Sequence, residues 1–382
     1  MSIAAALSIA DQLALARALT SDHHVRISVS LLDLNENYIA PLSSLLYDGQ
    51  VTISADADIT RSANLVLFDP ERVLTFDGDN PVDGALYYDK MIAMTYCVWM
   101  QGWTKSIDIP IFRGPIHKLK RSGMLVSLDC YGKELLSKTA IWTPRSYKKG
   151  SNKTATIKDL LSAGSGERKF DLQATTAKLP NTLALVRESI TWDQAKGVAS
   201  GMNMQLFYDG RGTARLRPFP TAKAWTFRNR TGGSIVTKPD LDFDLENAKN
   251  LIVIQGGKPK GSTRAVEGVA TAEPSHPLNH NRIGRNGVKR VLLETLSYPT
   301  ITSKTAATRK AKQILDSRLR QGLNFQMTTL PIVFLEENDL AEVNMFGQYA
   351  FDFRIKEMTI PLVGGPTATI GTRRNLTLKR RS

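Results

Sequence analysis

The stretch SITWDQAKGVASGMNMQLFYDGRGTARLRP, residues 189–218, reads as a capped helix that runs into a tight hairpin. Thr191 stands where an N-cap belongs, and Gln194 completes a capping box. Asp193 falls in the first turn, where the helix dipole favours a negative charge. Trp192, Ala195, Ala199 and Met202 recur at helical spacing and make one apolar face. Asp209-Gly210 supplies a positive-φ turn between two short strands. Pro218 stops the second strand, because it has no N–H for a ladder. Nothing in the stretch is a candidate for chemistry. It is a small docking module, and the rest of the chain is arranged around it.

Upstream, segment 25–131 is strand-rich. Val25, Ile27, Val29 and Leu31 alternate with polar neighbours, as do Val51 and Ile53, and Leu65 and Leu67. Ile92, Met94, Tyr96 and Val98 share one face, and Ala93, Thr95, Cys97 and Trp99 the other. Both faces are largely apolar, which predicts a strand buried on both sides. Strand signals at 107–111, 115–121 and 124–130 follow, then a helical turn at Lys133–Lys138. Residues 143–153, TPRSYKKGSNK, are polar and basic and read as a linker or exposed loop. A helical piece is predicted at Thr156–Ser162. Downstream, strands are predicted at 224–228, 250–255 and 288–296, with a long loop at 256–287. The strongest helix is Ser303–Gln321. Ala307, Ala311, Ile314, Leu315 and Leu319 lie on its inner face, and Gly322 stands at C′. Strand candidates at 323–330, 340–345, 351–360 and 368–378 close the chain. The fold class is therefore α+β, mainly β. An N-terminal helix is predicted at 1–22, a first β-rich unit at 23–143, a small α/β domain at 144–222 and a second β-rich unit at 223–378. A basic tail follows at 379–382.

A chain of 382 residues has room for about two to four domains. Its 42% apolar content excludes wholesale disorder. Fifty Lys and Arg against 36 Asp and Glu give a net charge of +14. Such an excess suits a nucleic acid or acidic neighbours in an assembly. Its scatter along the chain favours the second. Cys97 and Cys130 sit inside apolar runs and read as buried reduced thiols. The N-terminus has no basic n-region, and Asp11 and Arg17 interrupt it, so it reads neither as a signal peptide nor as a membrane span. Ile3, Leu7, Ala10, Leu13 and Ala14 fit a short amphipathic helix instead. These features predict a chain made in the cytoplasm.

Candidate chemistry is sparse. Asp77, Asp79, Asn80 and Asp83 crowd the segment DGDNPVDG, but an EF-hand beginning at Asp77 would need a glycine at Val82 and a carboxylate at Tyr88. His276 and His280 are four apart with Pro277 between them, so no helix aligns them on a metal, and exposed loop histidines are predicted. Gly164 to Arg168 lacks the Lys-Ser/Thr pair of a phosphate loop. Glu336 and Glu337 read as a solvated pair in a polar turn. Basic clusters at 145–153, 258–264, 282–290 and 373–381 contain a single aromatic, Tyr147, which supplies poor stacking for single strands. No catalytic, cofactor-binding or metal-binding residue is assigned, no cofactor is expected, and the chain reads as a non-enzyme.

With those residues in view, Trp192 through Pro218 resembles a module of phage tail hub proteins, the tail-tip minor tail protein family. That module is a helix with tryptophan and alanines, an apolar strand, a D-x-x-G turn and a strand ending in R-P. IPIFRGPIHKLKRSGMLVSLDCYGKELL (109–136) is similar to the family's paired strands before a short helix. SKTAATRKAKQILDSRLRQGLNFQMTTLP (303–331) resembles its later helix-then-strand. Asn338-Asp339-Leu340 stands where members have a G-D-x-V-x-V strand start, with Asn338 in place of the glycine. The resemblance implies two tail-tube-like β-barrels or sandwiches, the second carrying a helix, with a small α/β insert. It also implies a baseplate hub at the virion tail tip. The expected partners are two further copies in a homotrimer, a distal tail protein or tail tube above, the tape measure protein in the lumen and a central fibre or spike below. DNA would pass transiently, and no segment would span a membrane. The alternatives are a cell-wall carbohydrate-binding or degrading tail protein and a basic DNA-binding protein.

Overall fold

Alternating apolar residues in the first third of the chain produce seven strands. They are β1 (His24–Asp33), β2 (Tyr38–Pro41), β3 (Leu46–Ser54), β4 (Arg61–Phe68), β5 (Lys90–Trp99), β6 (Ile107–Ser122) and β7 (Leu125–Tyr131). In this computed structural model the described residues are 14–15, 17–18, 23–74, 86–228, 236–243, 248–259, 263–298, 301–321, 323–345, 349–364 and 367–373. The predicted N-terminal helix falls mostly outside them. Ala14, Leu15, Arg17 and Ala18 are helical, and Leu15 and Ala18 are buried in the main core. The DGDNPVDG segment, Gly322 and the basic tail also lie outside them.

A short helix α1 (Glu134–Ser137) leads into the middle segment. This holds β8 (Arg145–Tyr147), α2 (Lys153–Ser165), β9 (Phe170–Leu172), β10 (Leu183–Leu185), α3 (Thr191–Ser200), β11 (Met204–Tyr208) and β12 (Ala214–Pro218). The stretch predicted as a linker thus contains β8, which pairs with β10. Asn152 at its end caps α2 by accepting from the Ala155 N–H at 2.9 Å. Trp192, Ala195 and Ala199 are buried together with Ile157, Leu160 and Leu161 from α2 and Leu206, Tyr208 and Leu216 from the strands. This module (141–216) has its own apolar core.

The last third carries β13 (Lys223–Arg228), β14 (Val236–Phe243), β15 (Leu251–Gly256), β16 (Glu267–Thr271), β17 (Leu293–Tyr298), α4 (Lys304–Gln321), β18 (Leu323–Thr329), β19 (Leu340–Met345), β20 (Tyr349–Pro361) and β21 (Thr367–Arg373). The predicted loop 256–287 therefore contains a strand, β16, antiparallel to β15. Helix α4 packs on the separate sheet β16-β15-β17, with Ala307, Ala311 and Leu315 against Ile252, Ile254 and Ala270. Gly268 permits that approach, because a Cβ there would lie 2.2 Å from the backbone of Ala307.

Strand content, 44% against 17% helix, makes the protein α+β and mainly β. The β-rich ends do not stand apart. They join in one 13-stranded sheet of order β14-β18-β21-β20-β3-β4-β7-β6-β5-β1-β2, with β13 and β19 branching from β20. No closed barrel is found among the described residues. The seam is antiparallel pairing of Glu357–Pro361 in β20 with Gln50–Ser54 in β3. One apolar core runs across it, from Val51, Leu65 and Val126 to Phe353, Met358 and Ile360. The two long strands β6 and β20 each change partner along their length, β6 from β5 to β7 and β20 from β19 to β21 and β3.

Candidate functional site: a buried charge junction

Hairpin β11–β12 is buried on both faces, and strand alternation sends different chemistry each way. Met204, Leu206, Tyr208, Ala214 and Leu216 enter the module's core. Gln205, Phe207, Asp209, Arg215 and Arg217 are buried but lie outside that core. Arg217 spans the gap to the last third of the chain. Its Nη2 meets Asp339 Oδ1 at 3.1 Å and donates to the Glu337 carbonyl at 3.4 Å, and its guanidinium lies 4.8 Å from the Phe207 ring centre. Arg215 Nε pairs with Asp209 Oδ2 at 2.7 Å.

Arg61 reaches the same place from β4. It forms an ion pair with Glu336 and donates to the Ile111 carbonyl at 2.7 Å. Asp339 Oδ2 accepts from the Glu336 N–H at 3.0 Å, which ties the turn before β19. Glu337 is 2% exposed, and among the described residues neither of its carboxyl oxygens has a hydrogen-bond partner. Three arginines thus meet four carboxylates: Asp209, Glu336, Glu337 and Asp339. Burial pushes Glu336 up to about 7 against the pull of Arg61, and raises Asp339 against the pull of Arg217. Burial, reinforced by the neighbouring Glu336 charge, lifts Glu337 well above the carboxylate range.

A second cluster pins the module to β1–β2. Glu36 in that turn has a left-handed φ of 67°. Arg113 Nη1 reaches its carboxylate at 2.5 Å, Lys133 Nζ at 2.6 Å, and Lys169 from the module completes the grip. Burial raises the Glu36 pKa, but the bonds from Lys133, Lys169 and Arg113 outweigh it and hold the carboxyl at about 2. Lys133 also pairs with Glu167 at 2.6 Å and donates to the Gly212 carbonyl at 3.0 Å. Thr191 is the first helical residue and not the N-cap. Its hydroxyl donates to the Ser137 carbonyl at 2.8 Å, a buried link to α1 that outcompetes local capping. Trp192 Nε1 donates to the Asp58 carbonyl at 3.1 Å, a further strut to the first unit.

The hairpin turn also differs from expectation. The left-handed residue is Gly212 (φ 72°), not Gly210, and the Asp209 carboxylate accepts from the Arg211 and Thr213 N–H groups at 2.9 and 3.0 Å. Gly210 serves close approach, since a Cβ there would lie 2.2 Å from the Pro110 carbonyl oxygen. Beside the junction opens a cleft of about 690 Å³ lined by Thr60, Lys196, Gln205, Phe219, Lys310 and Asn338.

Glu336 and Glu337, predicted as a solvated pair, are buried at 1% and 2% exposure because the hairpin packs over their turn. His276 and His280 are half-buried, and His276 Nδ1 accepts from the Leu278 N–H at 3.1 Å, so it holds a turn. Among the described residues no three His, Cys, Asp or Glu side chains gather as metal ligands. Gly166 ends α2 in the left-handed conformation (φ 69°), and a Cβ on Gly164 would lie 2.1 Å from the Thr191 hydroxyl oxygen, which accounts for the glycines of 164–168. Asn338, standing where the resembled strand start has glycine, adopts φ 61°. Asparagine tolerates this region better than most residues. Cys97 and Cys130 are buried free thiols, and burial pushes Cys97 up to about 11. The junction itself went unrecognised in the sequence. The one signal was Arg215 and Arg217 at a two-residue interval in a strand with no exposed face.

No protein-family model matches the sequence, and no curated protein matches it significantly. Solved structures share the fold. The 43 kDa tail protein of prophage MuSo2 from Shewanella oneidensis superposes with a TM-score of 0.61 at 10% identity, over 91% of this chain and 98% of its own. A tail protein from Neisseria meningitidis MC58 gives 0.60 at 11% identity, over 92% and 98%. Prophage tail protein gp18 from Listeria monocytogenes EGD-e gives 0.55 at 9% identity, over 92% and 95%. The chain shares the fold of these prophage tail proteins over about nine-tenths of its length.

Proposed function

We propose that this protein is a structural hub of a phage tail tip, located in the virion and built as a ring of three copies. The observation that carries the reading is the near-complete, two-way overlap with whole prophage tail proteins. The internal architecture supports it. Two β-rich units joined edge to edge at β20–β3 offer a pair of tube-like elements per chain. Three chains would then present six such elements to a six-fold tail tube above and three-fold symmetry to a fibre or spike below. DNA and the tape measure protein would pass through the centre. The role calls for rigid angles between units. Ion pairs that cross from the module to both β-rich ends supply them, because a buried charge pair tolerates little displacement. No reacting group is needed for this work. Counting copies in a tail reconstruction, with the solution mass of the purified chain, tests the reading. Three copies in a ring at the tube end is the expected outcome, and a persistent monomer absent from particles overturns it.

A further inference from the structure

We propose that the module carries a protein-docking patch centred on Trp142, which takes an acidic peptide segment bearing one apolar side chain. Trp142 is 83% exposed, and Val186 beside it in the same loop pair is 64% exposed. The Arg187 guanidinium lies 5.6 Å over the tryptophan ring. The ring stands on fixed backbone. The Ile141 N–H donates to the Ser189 carbonyl at 3.1 Å, and the Ile141 side chain is in the module's core. The turn that carries Val186 and Arg187 is closed by Ser189 N–H to Val186 carbonyl at 2.9 Å and by Val186 N–H to Ser189 Oγ at 3.0 Å. A large aromatic held out on rigid backbone binds without the entropy cost of ordering a loop, and tryptophan and arginine are the usual anchors of such patches.

Charge selects the partner. Residues 141–218 contain thirteen Lys and Arg against six Asp and Glu, a net +7, which is half the excess of the whole chain. Arg145, at the same end of β8, is exposed but pairs with Asp159 at 3.2 Å, while Lys148 and Lys149 beyond the strand are exposed as well. A peptide rich in Asp and Glu would meet this field, and its apolar residue would cover Trp142 and Val186. A nucleic acid fits less well, because bases stack along rows of aromatics. Here Tyr147 is tied by its hydroxyl to Asp159 at 2.6 Å, and Phe170 lies under Lys158.

The test uses the full chain and calorimetry, with tryptophan fluorescence as a second signal. The probe is a short Asp/Glu-rich peptide with one central leucine. Comparison peptides replace that leucine by serine or the acids by lysine, and oligo(dT) is the nucleic-acid arm. The acidic leucine peptide is expected to bind most tightly and to weaken with salt. Trp142→Ala and Arg187→Glu are each expected to cost about ten-fold or more in affinity. Their unfolding midpoints should match wild type, since both side chains are exposed. Binding that is unchanged in both variants, no preference for the acidic peptide, or tighter Trp142-dependent binding of oligo(dT) overturns the proposal.

Discussion

Glu337 is a buried carboxylate and Glu36 a half-buried one, and their surroundings push them in opposite directions. Glu337 has a raised folded pKa, so the fold binds its proton more tightly than the unfolded chain does. Its contribution is complete below the unfolded value near 4.5 and is lost as pH rises toward the folded value. Glu337→Gln is therefore expected to flatten the fall of stability above pH 5 and to gain about 1–3 kcal/mol at pH 8, read from urea unfolding midpoints. Glu36 has a depressed folded pKa of about 2, so its contribution is present above 4.5 and is lost as pH falls through about 2. Glu36→Gln is expected to cost about 1–2 kcal/mol at pH 7, with the difference from wild type closing as pH approaches 2. If the two variants show pH slopes of the same sign, the assignment of charges in the two clusters is wrong.

Hairpin β11–β12 decides how the three parts meet. Its inner side chains belong to the module, its outer ones to the junction, and its tip rests on β6 through Gly210. Gly210→Val would drive a side chain into the Pro110 carbonyl, and the backbone there has little room to shift. A loss of about 1–3 kcal/mol is expected, with faster amide exchange at 204–217 and little change in β3–β4. Much of this element was legible beforehand. The spacing of Trp192, Ala195 and Ala199 gave the buried helix face, and Pro218 marked the strand end. The position of the left-handed residue was not legible, because Asp209-Gly210 and Gly212 offer competing turns. Contact with Pro110, a hundred residues away in sequence, chooses between them. The same holds for Thr191, whose hydroxyl is taken by Ser137.

At the scale of the whole molecule, the seam between β20 and β3 makes one sheet out of strands from opposite ends of the chain. The proposed ring of three copies would have a mass three times that of one chain. Light scattering on the purified protein across a concentration series is expected to resolve toward that mass. In the proposed hub the basic excess would face acidic neighbours, so high salt is expected to weaken its contacts with those neighbours before it disturbs the fold. Unfolding midpoints and assembly measured over the same salt range separate the two effects.

The sequence by itself determined the local elements: the two-residue alternation of the strands and the helix faces of α3 and α4. Those depend on interactions within a few residues, which composition and spacing encode directly. It also carried enough short motifs to resemble a tail hub family. Only the tertiary structure decided that both β-rich ends share one sheet, that α4 covers a sheet of its own, and that Glu336 and Glu337 are buried against Arg61 and beneath Arg217. Burial of a charge is a property of what packs over it. The residues that do so here lie more than a hundred positions away, where no periodicity can point to them.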